Sequence, residues 1–130
     1  MFKKILLLDS DVIIDFLRGQ QKVKSLFYDI EQGRMEAAFS TITETELFAG
    51  KSCNSLEEQQ KIDALLGLMK RLSLDKNAAR KAGELKRRYE LGLADAVIAA
   101  TAITNSIKII STKNKKHFAK VKEVTIEEPY

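Results

Sequence analysis

Proline is almost missing from this 130-residue chain; Pro129 is its one instance. No Pro/Gly/Ser-rich linker breaks the sequence, so a single domain over residues 1–130 is expected. Cysteine is as scarce. Cys53 stands alone and has no internal disulfide partner, which excludes a disulfide-built scaffold and points to a reducing compartment, the cytoplasm. His117 is the only histidine, so a zinc site built from several histidines is excluded. The patterns C-x-x-C, G-x-S-x-G and G-x-x-x-x-G-K-[ST] do not occur. No apolar run approaches the ~20 residues that span a bilayer, and no membrane association is expected. The opening MFKKILLL is interrupted by Asp9 and Asp11 too early for a signal peptide.

What the chain does hold is 45% hydrophobic and 31% charged residues, the balance of a globular protein with a real core. Its net charge of +4 is unevenly spread. Residues 1–65 carry 8 Lys/Arg against 11 Asp/Glu, whereas residues 66–130 carry 14 against 7. A basic half beside an acidic half suits a polyanionic partner held near a cation-binding cluster, or lysine-rich solvated helix faces.

The run ILLL, Ile5 to Leu8, reads as a strand buried on both faces, and it ends abruptly in Asp9-Ser10-Asp11. Carboxylates beside an apolar core require compensation by a helix N-terminus, a cationic partner or a metal ion. Further along, MEAAFS and KIIST read as strands, VTI as a last strand, and Ser73-Leu74 as a brief one. Between them lie helical patterns in Asp11–Leu17, QKVKSLFYDIEQG, TITETELFAG, LEEQQKIDALLGLMKRL, a segment capped by Asp75 or Asn77 and running through Tyr89, and the alanine-rich LADAVIAATAIT. Strands separated by helices predict a three-layer α/β/α fold around a small, mostly parallel sheet.

In such a fold the strand C-termini and helix N-termini share one edge. Asp9 closes the first strand. Thr43 as an N-cap places Glu46 in the first turn of its helix, Asp95 opens the alanine-rich helix, and Thr112 ends the strand after it. Asp11, Asp15 and Glu44 lie within reach of the same edge. Carboxylates gathered without histidine or cysteine suit a hard divalent cation that shares its shell with substrate phosphates. Each acid also has an ordinary structural role available to it: Asp9 and Asp11 as helix caps, Glu46 or Glu44 in a capping box, Asp95 at a helix start. The basic run KNKKH, residues 113–117, lies close to this edge and suits either the phosphates of a nucleic acid or a solvated turn, and the Arg87-Arg88 pair suits the same phosphates.

Four segments, LLLDSDVIIDFLRG, STITETELFAG, LADAVIAATA and IISTKNKKHF, resemble the signature segments of PIN domains. Their order and spacing are most similar to the VapC toxins of bacterial and archaeal toxin–antitoxin pairs, from Phe2 to about Ile126. The resemblance implies a Mg²⁺- or Mn²⁺-dependent endoribonuclease, a homodimer, inhibited by a VapB-like antitoxin and acting on RNA. It implies Asp9, Glu46 and Asp95 as metal-binding and catalytic acids, with Ser10 or Thr112 hydrogen-bonding a carboxylate. Two positions depart from the family pattern. His117 stands where a fourth acid is common, with Asn114 matching the family asparagine, and Asp11 stands where asparagine, serine or threonine is usual. The missing fourth acid also fits an alternative, a PIN-like module that binds RNA or protein without cutting. A phosphoacceptor receiver-like domain is a further rival, disfavoured because the second strand ends FSTIT rather than in an aspartate.

Overall fold

The computed structural model describes residues 3–130, so the start of the expected resemblance at Phe2 lies outside the described residues. Five strands form one sheet: β1 (Ile5–Leu8), β2 (Glu36–Ser40), β3 (Lys70–Leu72), β4 (Ile109–Ser111) and β5 (Thr125–Glu127). Their order is β3-β2-β1-β4-β5, and every pairing is parallel rather than mostly so. In register, Leu6 faces Ala37 on one neighbour and Ile109 on the other.

Alternation along β1 divides the core in two. Leu6 and Leu8 pack with Val12 and Ile13 of α1 (Ser10–Leu17), with Phe27 and Ile30 of α2 (Lys24–Glu31) and with Leu65 of α4 (Leu56–Leu66). Leu7 points the other way, into Ala82 and Leu85 of α5 (Lys76–Tyr89) and the alanines of α6 (Leu93–Thr104). A strand buried on both faces needs apolar residues at consecutive positions, which is why ILLL does not alternate. The alanines at 96, 99, 100 and 102 are fully buried and let α6 lie close to the sheet and α5. Cys53 is buried, and its thiol donates to the Leu47 carbonyl at 3.4 Å.

Local stops follow residue chemistry. Gly19 and Gly33 take positive φ (79° and 76°) after α1 and α2, where a Cβ would be strained. Asp75 caps α5, accepting from the Ala78 amide at 2.8 Å. Three expectations are corrected. The segment LEEQQKIDALLGLMKRL is not all helix: α4 stops at Leu66, and Lys70–Leu72 forms β3 in place of the strand expected at Ser73-Leu74. The basic residues Lys70 and Arg71 are tolerated there because β3 is an edge strand. QKV forms a 3-10 turn (Gln21–Val23) ahead of α2. The helix α3 (Thr41–Phe48) is capped by Ser40, whose hydroxyl accepts from the Ile42 amide at 3.2 Å, so Thr43 lies inside it and Glu46 falls in its second turn.

The chain lays down β1, β2 and β3 in one direction and then returns to place β4 and β5 on the other side of β1. The reversal leaves a crevice outside the C-terminal ends of β1 and β4, the position where open α/β sheets bind ligands.

Candidate active site at the carboxyl edge of the sheet

Asp9 follows β1 directly and caps α1, its Oδ1 accepting from the Ser10 amide at 2.8 Å. Its Oδ2 accepts from the Thr112 hydroxyl, also at 2.8 Å. Thr112, just past β4, is fully buried, and Asp9 is only 5% exposed. The Asp9 amide donates to the Ser111 carbonyl at 3.0 Å, so backbone and side chain together tie β1 to β4 across the crevice. Asp9 is therefore a cap, and the cap leaves its carboxylate in an apolar wall.

Asp11, in the first turn of α1, fixes the loop after β4. Its Oδ2 accepts from the Lys113 amide at 2.9 Å and from Asn114 Nδ2 at 3.2 Å. The Thr112 hydroxyl has one proton, spent on Asp9, so its 3.3 Å approach to Asp11 is the weaker contact. That hydroxyl in turn accepts from the Asn114 amide at 3.0 Å. Asp11 Oδ1 is buried and has no partner. Across the crevice, Asp95 sits in the first turn of α6, and its Oδ2 is 3.2 Å from His117 Nδ1 of α7 (Lys115–Phe118). Ser10 and His117 thus each stand beside an acid, while Asn114 joins Asp11 rather than a second metal position.

The electrostatics show how closely these groups face each other. Burial pushes the Asp9 carboxyl above the ordinary aspartate range against the pull of Thr112 and Ser10, and the Asp95 charge adds to the push. Asp11 is raised by burial first and by the Asp9 charge second. Glu46 is exposed over the side chain as a whole, yet the partial burial of its carboxyl end raises it. The Asp9, Asp95 and Asp11 charges push the same way, while the nearby Ser10 hydroxyl opposes them. Burial thus raises all three carboxyls, and the charges of neighbouring acids add to it.

These oxygen-only donors fit a hard divalent cation in their chemistry: they are anionic, partly desolvated and include one unpaired buried oxygen. Among the described residues, however, no group of three His, Cys, Asp or Glu side chains is closed to the spacing of a single ion's shell. Asp95 is instead paired with His117, 3.2 Å away.

Two further acids expected at this edge, Asp15 and Glu44, are each paired with a cation. Asp15 receives Lys113 Nζ at 2.6 Å and the Tyr130 hydroxyl, and these two bonds lower its carboxyl. Glu44 turns away from the crevice altogether and forms a bidentate pair with Arg71 of β3 at 2.7 and 2.9 Å. A cleft of about 480 Å³ runs along Lys113–His117 beside the acids. Arg87 and Arg88 lie instead in the last turn of α5.

Residues 6–124 match the family described as PIN domain. A curated relative, Ribonuclease VapC10 of Mycobacterium tuberculosis (strain ATCC 25618 / H37Rv), is 30% identical over 119 residues, spanning 88% of this chain and 86% of the relative. Among solved structures, a toxin-antitoxin complex from Klebsiella pneumoniae aligns with a TM-score of 0.79 at 26% identity, over 96% of this chain and 98% of that one. VapBC2 from Rickettsia felis, bound to a DNA fragment from its promoter, aligns with a TM-score of 0.80 at 23% identity over 95% and 98%.

Proposed function

This chain belongs to the PIN domain family, among proteins of the VapC type, and on that premise we propose that it is a divalent-metal-dependent endoribonuclease, the toxin of a toxin–antitoxin pair. The observation that carries the reading is the gathering of Asp9, Glu46 and Asp95, from three distant elements, at one edge, where Glu46 feels the charges of Asp9 and Asp95 and Asp9 feels that of Asp95. Mg²⁺ or Mn²⁺, when bound, polarises the phosphodiester and eases ionisation of water. Asp9 and Asp95 would hold the ion, and Glu46 would hold it or orient the attacking water. Thr112 and the Ser10 amide fix the Asp9 carboxylate in place, the arrangement that keeps a ligand aimed. Asp11, through Lys113 and Asn114, fixes the loop whose lysines meet the RNA backbone.

The inhibitory partner is read as a VapB-like antitoxin. Supporting it is an apolar groove of about 470 Å³ between α1, α2 and α4, lined by Phe16, Leu17, Phe27, Ala64, Leu65 and Leu68. Such a groove suits the apolar face of a partner helix. Self-association as a homodimer and residence in the cytoplasm belong to the same reading. No helix among the described residues is long and apolar enough to cross a membrane.

The test is cleavage of a structured RNA pool with and without Mg²⁺ or Mn²⁺, beside Asp95→Asn. Metal-dependent products that vanish in the variant are expected. A second reading, a module that binds without cutting, is favoured by His117, which occupies Asp95 where a further acid would stand. It predicts RNA binding indifferent to metal and no product from either protein.

A further inference from the structure

A second cleft, of about 350 Å³, opens between α1, α3 and α4, and Glu46 forms one of its walls. Its size is at the low end for small-molecule sites. Ile14, Leu47 and Ile62 supply an apolar lining, and Arg18, Ser52 and Glu58 supply polar groups around it. The groove between α1, α2 and α4 shares only Leu17 with it. This cleft is therefore a distinct space that meets the acid cluster at Glu46.

The lining constrains what fits. A phosphate in the cleft would face the carboxylates of Glu46 and Glu58. A cationic side chain would face the Arg18 guanidinium. A flat, neutral group with an apolar body and both donors and acceptors on its edge meets neither repulsion. Carboxylates accept from exocyclic amino groups and guanidinium groups donate to ring nitrogens and carbonyls, so the two polar partners together match an amino-bearing base edge. Single-stranded RNA presents such edges once a base leaves the stack.

Building on the ribonuclease reading, we propose that this cleft receives one unpaired nucleobase carrying an exocyclic amino group, from a nucleotide beside the scissile phosphate, and so sets the sequence preference of cleavage. Uracil, which has a carbonyl where cytosine has its amine, offers the carboxylates no amino group and binds the site more weakly.

Gly50 lines the cleft, and a Cβ built there meets nothing closer than 3.6 Å, at φ −67°, so Gly50→Leu fills the space without strain. The probes are 5′-CMP and 5′-UMP, titrated into isotope-labelled, metal-free protein, with inorganic phosphate as control. CMP is expected to shift the amides of Leu47, Gly50 and Ser52 and to bind about tenfold more tightly than UMP, the lower end of the discrimination of a matched base edge. Phosphate alone shifts Lys113–His117 instead. Gly50→Leu and, as a second variant, Arg18→Gln remove the CMP response. In a random RNA pool with metal, the wild type shows enrichment of an amino-bearing base at one position beside the cut. Both variants still cut but with that enrichment flattened. A wild type that cuts with a preference unchanged by either variant overturns the inference and leaves the ribonuclease reading intact. CMP binding in the cleft of a protein that cuts no RNA overturns the ribonuclease reading and sustains the base pocket. Equal indifference to CMP and UMP, with the same amides shifting on addition of an antitoxin peptide, overturns the inference in favour of a protein occupant.

Discussion

Three threonines, all fully buried, differ only in what their hydroxyls serve, and substituting valine at each isolates that difference. Thr112 donates to the Asp9 carboxylate at 2.8 Å, Thr101 donates to the Val97 carbonyl within α6 at 2.7 Å, and Thr43 Oγ1 has no partner. Thr→Val keeps the volume and the β-branch, so packing and helix propensity change little. Thr112→Val removes a hydrogen bond to a charged acceptor, worth about 1.5–3 kcal/mol. It also frees the Asn114 amide, which lies in an exposed loop and turns to water. Thr101→Val removes a bond to a carbonyl in a neutral helix, worth about 0.5–1.5 kcal/mol. Thr43→Val removes a buried hydroxyl with no partner and is expected to be neutral or to stabilise by up to ~1 kcal/mol. Urea denaturation in metal-free buffer at pH 7.5 gives the three values. Because losing Thr112 raises the Asp9 carboxyl further, the penalty of Thr112→Val is full at pH well above that raised value. It narrows as pH falls through it and Asp9 is protonated. Three variants of equal stability, or a Thr112→Val penalty that grows on acidification, would refute the assignment of Asp9 as a buried charge held by Thr112.

Asp9→Asn keeps the shape and one acceptor oxygen, for the Ser10 amide, and sets an NH2 donor against the Thr112 hydroxyl, which can accept from it and turn its own proton to Asp11 Oδ2; with the buried charge deleted, the variant is expected to abolish RNA cleavage and Mg²⁺ binding while costing the metal-free protein little stability, and marked loss of stability would contradict this. Raised carboxyls at Asp9, Asp11 and Glu46 mean that the folded chain binds protons the unfolded chain does not. Its metal-free stability should therefore rise as pH falls through their raised values toward the ordinary 3.8 and 4.5, until Asp15 and Glu44, which are lowered, reverse the trend. Mg²⁺ held as proposed would relieve the same repulsion, so thermal scans should show a larger Tm increase from Mg²⁺ at pH 7.5 than at pH 5.5; a shift independent of pH would contradict competition between metal and protons. Glu44→Gln breaks a bidentate but surface-exposed pair with Arg71, and a loss of only about 0.5 kcal/mol, smaller in high salt, is expected by denaturation.

The layering was legible because its signals are long: ILLL without alternation, and an alanine-rich helix. The edge strand was not. KRL carries no apolar periodicity of its own and follows a helical pattern without proline, so only its pairing with β2 makes it a strand. The start of α3 was misplaced because STITET offers several hydroxyls at capping spacing, and the ladder of β2, which ends at Ser40, decides among them. At the site, Asp9, Glu46 and Asp95 were reachable by placing elements at one edge. The role of Asp11 in the loop after β4 was not, since it depends on amides at 113 and 114 that have no sequence signature. The same holds for Tyr130 on Asp15.

The bond between Asp9 and Thr112 joins residues 103 positions apart, and β4 and β5 enter the sheet only after every other strand. While a ribosome is still making this chain, the acids of β1 and α3 exist but the wall that orients them does not. Chains fold from the N-terminus as they emerge, and β4 cannot dock on β1 until its own residues have left the ribosome. On the proposed reading, the carboxylate that Thr112 aims is therefore held only after residues 109–112 have emerged and paired with β1.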